Sequence, residues 1–146
     1  MKKTTQATKA KEIVRAWHIV DVKGKILGRS STRIALFLMG KAKPYFIKNL
    51  DCGDYVVVIN AKDVEVTGKK ETDKIYTRYS GYPGGLRKEA YGKLHARKPE
   101  EIIKHAVKGM LPQTRLRDRM LTRLFVYAED KHPYEEKFKT KNDHEG

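Results

Sequence analysis

The run Tyr55-Val-Val-Val-Ile59 is the feature that most constrains the fold of this chain. Its β-branched and aromatic residues favour a strand. It lacks the alternation of polar and apolar residues that marks a strand with one face in water. Such a strand is expected where both faces of a sheet are covered, which is the usual situation of a parallel sheet in an α/β protein.

Strand and helix patterns alternate along the rest of the chain. Trp17-His-Ile-Val20 predicts a strand, and residues 29–39 predict a helix that stops at Gly40. Pro99 opens a helix with two glutamates in its first turn. The remaining predicted elements are a strand beginning at Lys74, a polar helix over Arg87–His95, a helix over Thr114–Arg123 and a strand over Leu124–Tyr127.

This alternation predicts a three-layer α/β/α sandwich around a small, mostly parallel sheet. We expect residues 1–15 to form a flexible basic arm, because they are rich in Lys and Thr and offer little to bury. Residues 16–128 are predicted to form one domain, and residues 129–146 a charged tail.

The charge of the chain limits its partners. Its 146 residues include 32 Lys and Arg against 18 Asp and Glu, which gives a formal net charge of +14. Phosphate polymers are the usual partners of such a field, because binding releases counterions from the phosphates. An anionic membrane surface would need a basic helix with a wide apolar face, which the arginine-rich helix lacks. An unusually soluble enzyme is the third explanation.

The sequence contains no recognisable catalytic, metal or cofactor site. A phosphate-binding loop needs glycine five residues before Gly-Lys, then Ser or Thr; Gly40-Lys41 and Gly68-Lys69 both fail this pattern. The histidines are scattered, without ligand spacing to a carboxylate or thiol. Cys52, the only cysteine, excludes an internal disulfide and fits a reducing compartment. We therefore expect no enzymatic activity, no cofactor and no small-molecule substrate.

Localisation follows from two further observations. The apolar runs are too short to cross a bilayer. The first residues, Met1–Lys11, are basic and polar, without the apolar core of a secretory signal. We expect an intracellular protein that does not enter a membrane.

The stretch from Lys74 to Leu86 begins as a strand and ends in a corner rich in glycine. Gly84 and Gly85 allow the backbone of this corner to approach a ligand closely. Arg78 and Tyr82 add a cation and an aromatic ring, a combination that suits nucleic-acid surfaces. Cations also cluster in loops and along one side of the predicted third helix, so we interpret them as an extended phosphate-binding surface.

Eight short motifs follow one another along most of the chain. They are Trp17-His-Ile-Val-Asp21, Leu27-Gly-Arg29, Gly40-Lys41, Gly53-Asp54, Thr67-Gly68-Lys69, Ser80-Gly-Tyr-Pro-Gly-Gly85, Ala106-Val-Lys-Gly-Met-Leu-Pro112 and His132-Pro133. In this order they resemble one family, the bacterial form of protein thirteen of the large ribosomal subunit. The glycine–tyrosine–proline and glycine–methionine–leucine–proline blocks are the most specific of them.

The resemblance implies binding to large-subunit ribosomal RNA, neighbouring ribosomal proteins, a role in subunit assembly and no catalysis. It also places the protein on the cytoplasmic ribosome, with an organellar ribosome as the alternative. The predicted RNA contacts are Arg29, Arg33, Lys41, Lys43, Lys48, Lys69, Lys70, Arg78, Tyr82, Gly84, Gly85, Arg115, Arg119, Arg123 and His132.

Three departures from the family pattern stand out. Ser30-Ser31 occurs where the family usually has Leu-Ala, Arg117-Asp118 replaces a common glycine and basic residue, and only His132-Pro133 of the terminal motif is present. Two other functions stay open at this point. A nucleotide-using enzyme would bind a mononucleotide, and a regulator would bind messenger RNA away from the ribosome.

Overall fold

The computed structural model describes residues 9–68 and 73–142, the side chains of the last four excepted. Single-turn 3-10 helices lie at Ala10–Glu12 and Ala61–Asp63. The strands and longer helices are β1 (Trp17–Asp21), α1 (Leu27–Met39), β2 (Tyr55–Ile59), β3 (Ile75–Tyr79), β4 (Leu86–Ala90), α2 (Tyr91–Arg97), α3 (Pro99–Met110), α4 (Leu116–Thr122), β5 (Leu124–Val126) and α5 (Glu135–Asn142).

A parallel sheet in the order β1-β2-β5 forms the middle layer. The valine run predicted to be its covered strand is β2, and Val56, Val57 and Val58 are all 0% exposed. In the sheet, Trp17 pairs with Tyr55 on the β1 side of β2. The prediction of a central strand covered on both faces is confirmed.

Helices cover one face of this sheet. Because side chains alternate along a strand, Val56 and Val58 face the same way. Both belong to the main hydrophobic cluster. Burying each large side chain of such a cluster stabilises the fold by roughly 1.5–3 kcal/mol. The cluster includes the predicted apolar faces of α1 and α3, represented by Ile34, Ala35, Leu38, Ile102, Ile103 and Val107.

The C-terminal segment packs on the opposite face. There the ring of Trp17 stacks on Tyr55, with centroids 4.5 Å apart, and on Phe125 at 5.9 Å. Tyr134 packs on Trp17 at 5.1 Å and on Phe125 at 4.6 Å. Phe138 of α5 meets the edge of Trp17 at 6.4 Å. The segment that the sequence suggested only as a charged tail therefore contributes the third layer, and the predicted α/β/α arrangement is confirmed.

β3 and β4 form a separate antiparallel hairpin. The polar helix predicted over Arg87–His95 is wrong in its first half, because residues Leu86–Ala90 are the strand β4 and α2 starts at Tyr91. Leu, Arg, Lys, Glu and Ala are all good helix formers. Pairing with β3 overrides this local preference, since strand formation depends on neighbours more than on intrinsic propensity.

One departure from the family pattern lies in the buried part of α1, near its start. Ser30 and Ser31 are both buried, and the Oγ of Ser31 has no hydrogen-bond partner within the described residues. Gly40 ends the helix as predicted, in the left-handed region with φ of 74°.

Among the helices of the described residues, none is both long and apolar enough to cross a membrane.

Replacing Tyr134 with alanine is expected to loosen the third layer and hydrate Trp17, the only tryptophan. We expect red-shifted tryptophan emission and a loss of about 1–3 kcal/mol in the free energy of unfolding, because two aromatic contacts and their buried area disappear. Fluorescence during a urea titration measures both. Tyr82→Ala is the matched control, since Tyr82 is 74% exposed. Identical emission and stability in the two variants would contradict the packing of the C-terminal segment on the sheet.

Candidate RNA-binding surface

Arg123, one of the predicted RNA contacts, is buried, with 7% of its surface exposed. Its guanidinium pairs with both carboxylate oxygens of Asp51. It also donates to the carbonyl oxygens of Leu38 (3.1 Å), Asp54 (3.3 Å) and Arg119 (3.5 Å). These five bonds use all the donors that a guanidinium has. The prediction of an RNA contact at Arg123 is therefore corrected: this side chain is a structural cation.

Lys43 is also engaged in the interior of the protein. Its ammonium group lies 2.6 Å from Oδ1 of Asp54 and donates to the carbonyl oxygens of Val14 (2.6 Å) and Cys52 (2.7 Å). Three partners match the three donors of an ammonium group. Since its side chain is only 16% exposed, we remove Lys43 from the candidate surface as well.

The two carboxylates of this cluster stay ionised. Burial raises the pKa of Asp51, but hydrogen bonding and charge from Arg123 outweigh burial and leave that pKa below its ordinary value. Burial likewise raises the pKa of Asp54, and hydrogen bonds from Lys43, the Ala16 amide and His18 lower it further than burial raises it. Two buried acids are thus neutralised by buried cations.

A close backbone contact holds this cluster against the end of α1. The amide of Asp54 donates to the carbonyl oxygen of Phe37 at 3.0 Å. Any side chain at Gly53 would overlap the carbonyl group of Leu38. Arg123 donates to that same carbonyl, at the end of the helix where the dipole is negative. The glycine in the Gly53-Asp54 motif is therefore required by packing.

Six of the predicted contacts are exposed cations. They lie in α1, in the loop after it, at the residue before α4 and in α4 itself. None of them forms an ion pair with a carboxylate within residues 9–68 and 73–138. We call them the helical basic surface; they are Arg29, Arg33, Lys41, Lys48, Arg115 and Arg119.

Arg123 links two of the elements that carry these cations. Its guanidinium contacts the carbonyl of Leu38, near the end of α1, and the carbonyl of Arg119 in α4. The acids of the cluster, Asp51 and Asp54, are already paired with Arg123 and Lys43. The charge of the exposed cations is consequently not offset by carboxylates of this cluster.

The β3–β4 hairpin carries a second group of predicted contacts. Arg78 is exposed and lies directly opposite Arg87 of β4. Tyr82 is exposed at the tip, where Gly84 adopts a left-handed φ of 73°. Gly85 closes the turn, with its amide 2.9 Å from the carbonyl of Tyr82. Arg87 is a cation that sequence reasoning missed, because it was placed in a helix.

The remaining predicted contacts lie elsewhere. Lys69 and Lys70 fall outside the described residues. His132 is half-buried in the C-terminal layer, where its ring lies 6.3 Å from that of Tyr127 and 5.8 Å from that of Phe138. In the part of the chain that the structure describes, no group of three His, Cys, Asp or Glu residues could hold a metal ion.

Comparison with known proteins decides the family. The family model described as ribosomal protein L13 matches residues 15–133. The chain belongs to the ribosomal protein L13 family. Similar proteins include the large ribosomal subunit protein uL13 of Dehalococcoides mccartyi, 52% identical over 130 residues, or 89% of this chain and 91% of that protein. The uL13 of Symbiobacterium thermophilum is 46% identical over 134 residues, with 92% and 93% coverage.

The uL13 of Geobacter sulfurreducens extends this agreement, with 47% identity over 133 residues, or 91% of this chain and 93% of that protein. The family resemblance inferred from the motifs is confirmed. Members of the ribosomal protein L13 family are structural components of the ribosome without enzymatic activity. The protein is therefore a ribosomal protein, located on the ribosome in the cytoplasm.

Substituting Arg123 with methionine should cost about 3–5 kcal/mol of unfolding free energy, because Asp51 would stay buried without its partner. Urea unfolding followed by circular dichroism measures the loss. Arg119→Met is the matched control on the exposed side of α4 and should stay within about 0.5 kcal/mol of the parent. Equal stability of the two variants would show that Arg123 is not the structural cation that its five hydrogen bonds indicate.

The lowered pKa values of Asp51 and Asp54 predict instability in acid. Groups with a depressed folded pKa bind more protons when unfolded, so their contribution is complete above the ordinary pKa of 3.8 and is lost as pH falls through the folded value. Unfolding free energy should be flat down to about pH 5 and decline below it. The decline should be shallower in Asp54→Asn. A stability that rises on acidification would contradict the assignment.

Proposed function

We propose that this protein binds large-subunit ribosomal RNA through its helical basic surface and supports assembly of the large subunit. One observation carries the proposal: the exposed cations on α1, the following loop and α4 form no ion pair within residues 9–68 and 73–138, while Asp51 and Asp54 are already paired with Arg123 and Lys43. Arg119 is exposed, and Asp51 is held by Arg123, whose guanidinium also contacts the Arg119 carbonyl. The charges of such a surface are not taken up by ion pairs within the protein. They can therefore attract a polyanion.

The residue types fit phosphate recognition. Arg29, Arg33, Arg115 and Arg119 offer planar forks that can bind two phosphate oxygens, whereas Lys41 and Lys48 act as point charges. Contacts of this sort position a protein on RNA without reading its sequence. Lys69 and Lys70 remain predicted contacts.

A role in assembly is supported by two separate cationic regions in the described part of the chain. The helical basic surface lies on α1 and α4, and the hairpin carries Arg78 and Arg87. A domain with two such regions can hold two RNA segments in a fixed relation and offset the repulsion between their phosphates. The named relatives are proteins of the large ribosomal subunit, which makes large-subunit RNA and neighbouring subunit proteins the partners that we propose.

Charge reversal tests this proposal. We expect Arg115→Glu with Arg119→Glu to weaken binding to large-subunit ribosomal RNA and to reduce the slope of log K against log salt by about two, or about one for each lost phosphate contact. Filter binding at several salt concentrations measures both. Lys62→Glu with Lys104→Glu changes the net charge equally but lies outside the proposed surface. If both double variants lose the same affinity and slope, net charge alone governs binding and the surface is wrongly assigned.

A further inference from the structure

The β3–β4 hairpin exposes an unusual amount of apolar surface. In an antiparallel pair, residues directly opposite each other share a face. Ile75, Tyr79 and Leu86 therefore lie on one face, and they are 55%, 65% and 53% exposed. Tyr82 at the tip is 74% exposed. These four are half of the eight large hydrophobic residues that are exposed in the described part of the chain.

Cations surround this apolar surface. Lys88 of β4 lies on the same face, paired with Thr77. Arg78 and Arg87 oppose each other on the other face, and like charges in that position destabilise a hairpin. Glu89 is the only carboxylate of the two strands.

That carboxylate forms its hydrogen bonds with a cation outside the hairpin. Arg97 of α2 binds Glu89 through two hydrogen bonds of 2.8 and 3.1 Å. These bonds, with smaller contributions from nearby charges that include Arg78, hold the pKa of Glu89 below its ordinary value. The two strands thus carry three cations and one carboxylate beside exposed aromatic rings.

The base of the hairpin packs on the rest of the domain, whereas its tip projects into solvent. Tyr76 meets the edge of the His105 ring of α3 at 4.9 Å, and the Lys74 ammonium lies 5.2 Å from the centre of the Tyr76 ring. The Tyr91 amide also donates to the Lys74 carbonyl at 2.8 Å. Beyond this base, the described residues place no other element against Tyr82.

We propose that the hairpin binds unpaired nucleotides of RNA, with bases stacked on Tyr79 and Tyr82 and phosphates held by Arg78, Arg87 and Lys88. The inference rests on the proposed RNA-binding function and adds the class of RNA that this region recognises. Base faces are hidden within an RNA helix, whereas loops and bulges can offer them to aromatic side chains. An apolar protein partner would give the cations no counter-charge. A nucleotide outside a helix offers a base that stacks on the rings and a phosphate that binds the cations.

The test uses the full-length protein and two RNA probes with equal numbers of phosphates. One is a stem–loop with 2-aminopurine in its loop, whose fluorescence reports stacking, and the other is a blunt-ended duplex. We expect Tyr79→Ala and Tyr82→Ala each to weaken stem–loop binding about fivefold to a hundredfold and to reduce the fluorescence change. Duplex binding should not change. Tyr79→Phe and Tyr82→Phe keep the ring and should bind like the parent.

Two results would overturn the inference while leaving the proposed function intact. The alanine variants could bind both probes as the parent does, which would show that neither ring contributes to RNA binding. They could also weaken both probes equally, which would show no preference for unpaired bases. In either case Arg115→Glu with Arg119→Glu would still weaken binding to large-subunit ribosomal RNA. If that double variant also binds this RNA normally, the proposed function fails separately.

Discussion

The buried ion pair between Arg123 and Asp51 is the interaction on which the arrangement of this protein depends. It joins the end of α1, the turn before β2 and the start of β5. These segments are far apart in the chain but meet at the guanidinium of Arg123. A buried charge is costly unless paired, so the fold has to keep these segments together once Arg123 enters the interior. The close contact of Gly53 with Leu38 leaves no alternative packing for a larger residue.

This buried cluster also explains how a chain with a net charge of +14 separates structural cations from cations available for binding. Arg123, Lys43 and Arg15 contact the turn that contains the two acids, and their charges are used inside the domain. The acids of the cluster are then not available to pair with the exposed cations. Exposed cations lie on α1, its following loop and α4, and a second group lies on the hairpin.

The sequence was informative where local pattern decides structure. The valine run predicted β2, proline and glycine marked the limits of α3 and α1, and ordered motifs identified the family. It failed where distant partners decide. Arg123 fits the arginine spacing of a solvated face, and only its contact with Asp51, 72 residues away, reveals burial. The three layers were predicted, but the C-terminal segment that forms the third of them was not, because charged residues hide the aromatic pair Tyr134 and Phe138, whose spacing of four was the available signal.

We propose that the protein is built into the large subunit through RNA contacts stronger than loose charge attraction. Sedimentation of native cell extract through sucrose gradients at low and then high salt tests this proposal most directly. We predict stoichiometric comigration with large subunits that survives the salt wash. A chain that stays at the top of the gradient, or that leaves the subunits at modest salt, would contradict the proposal.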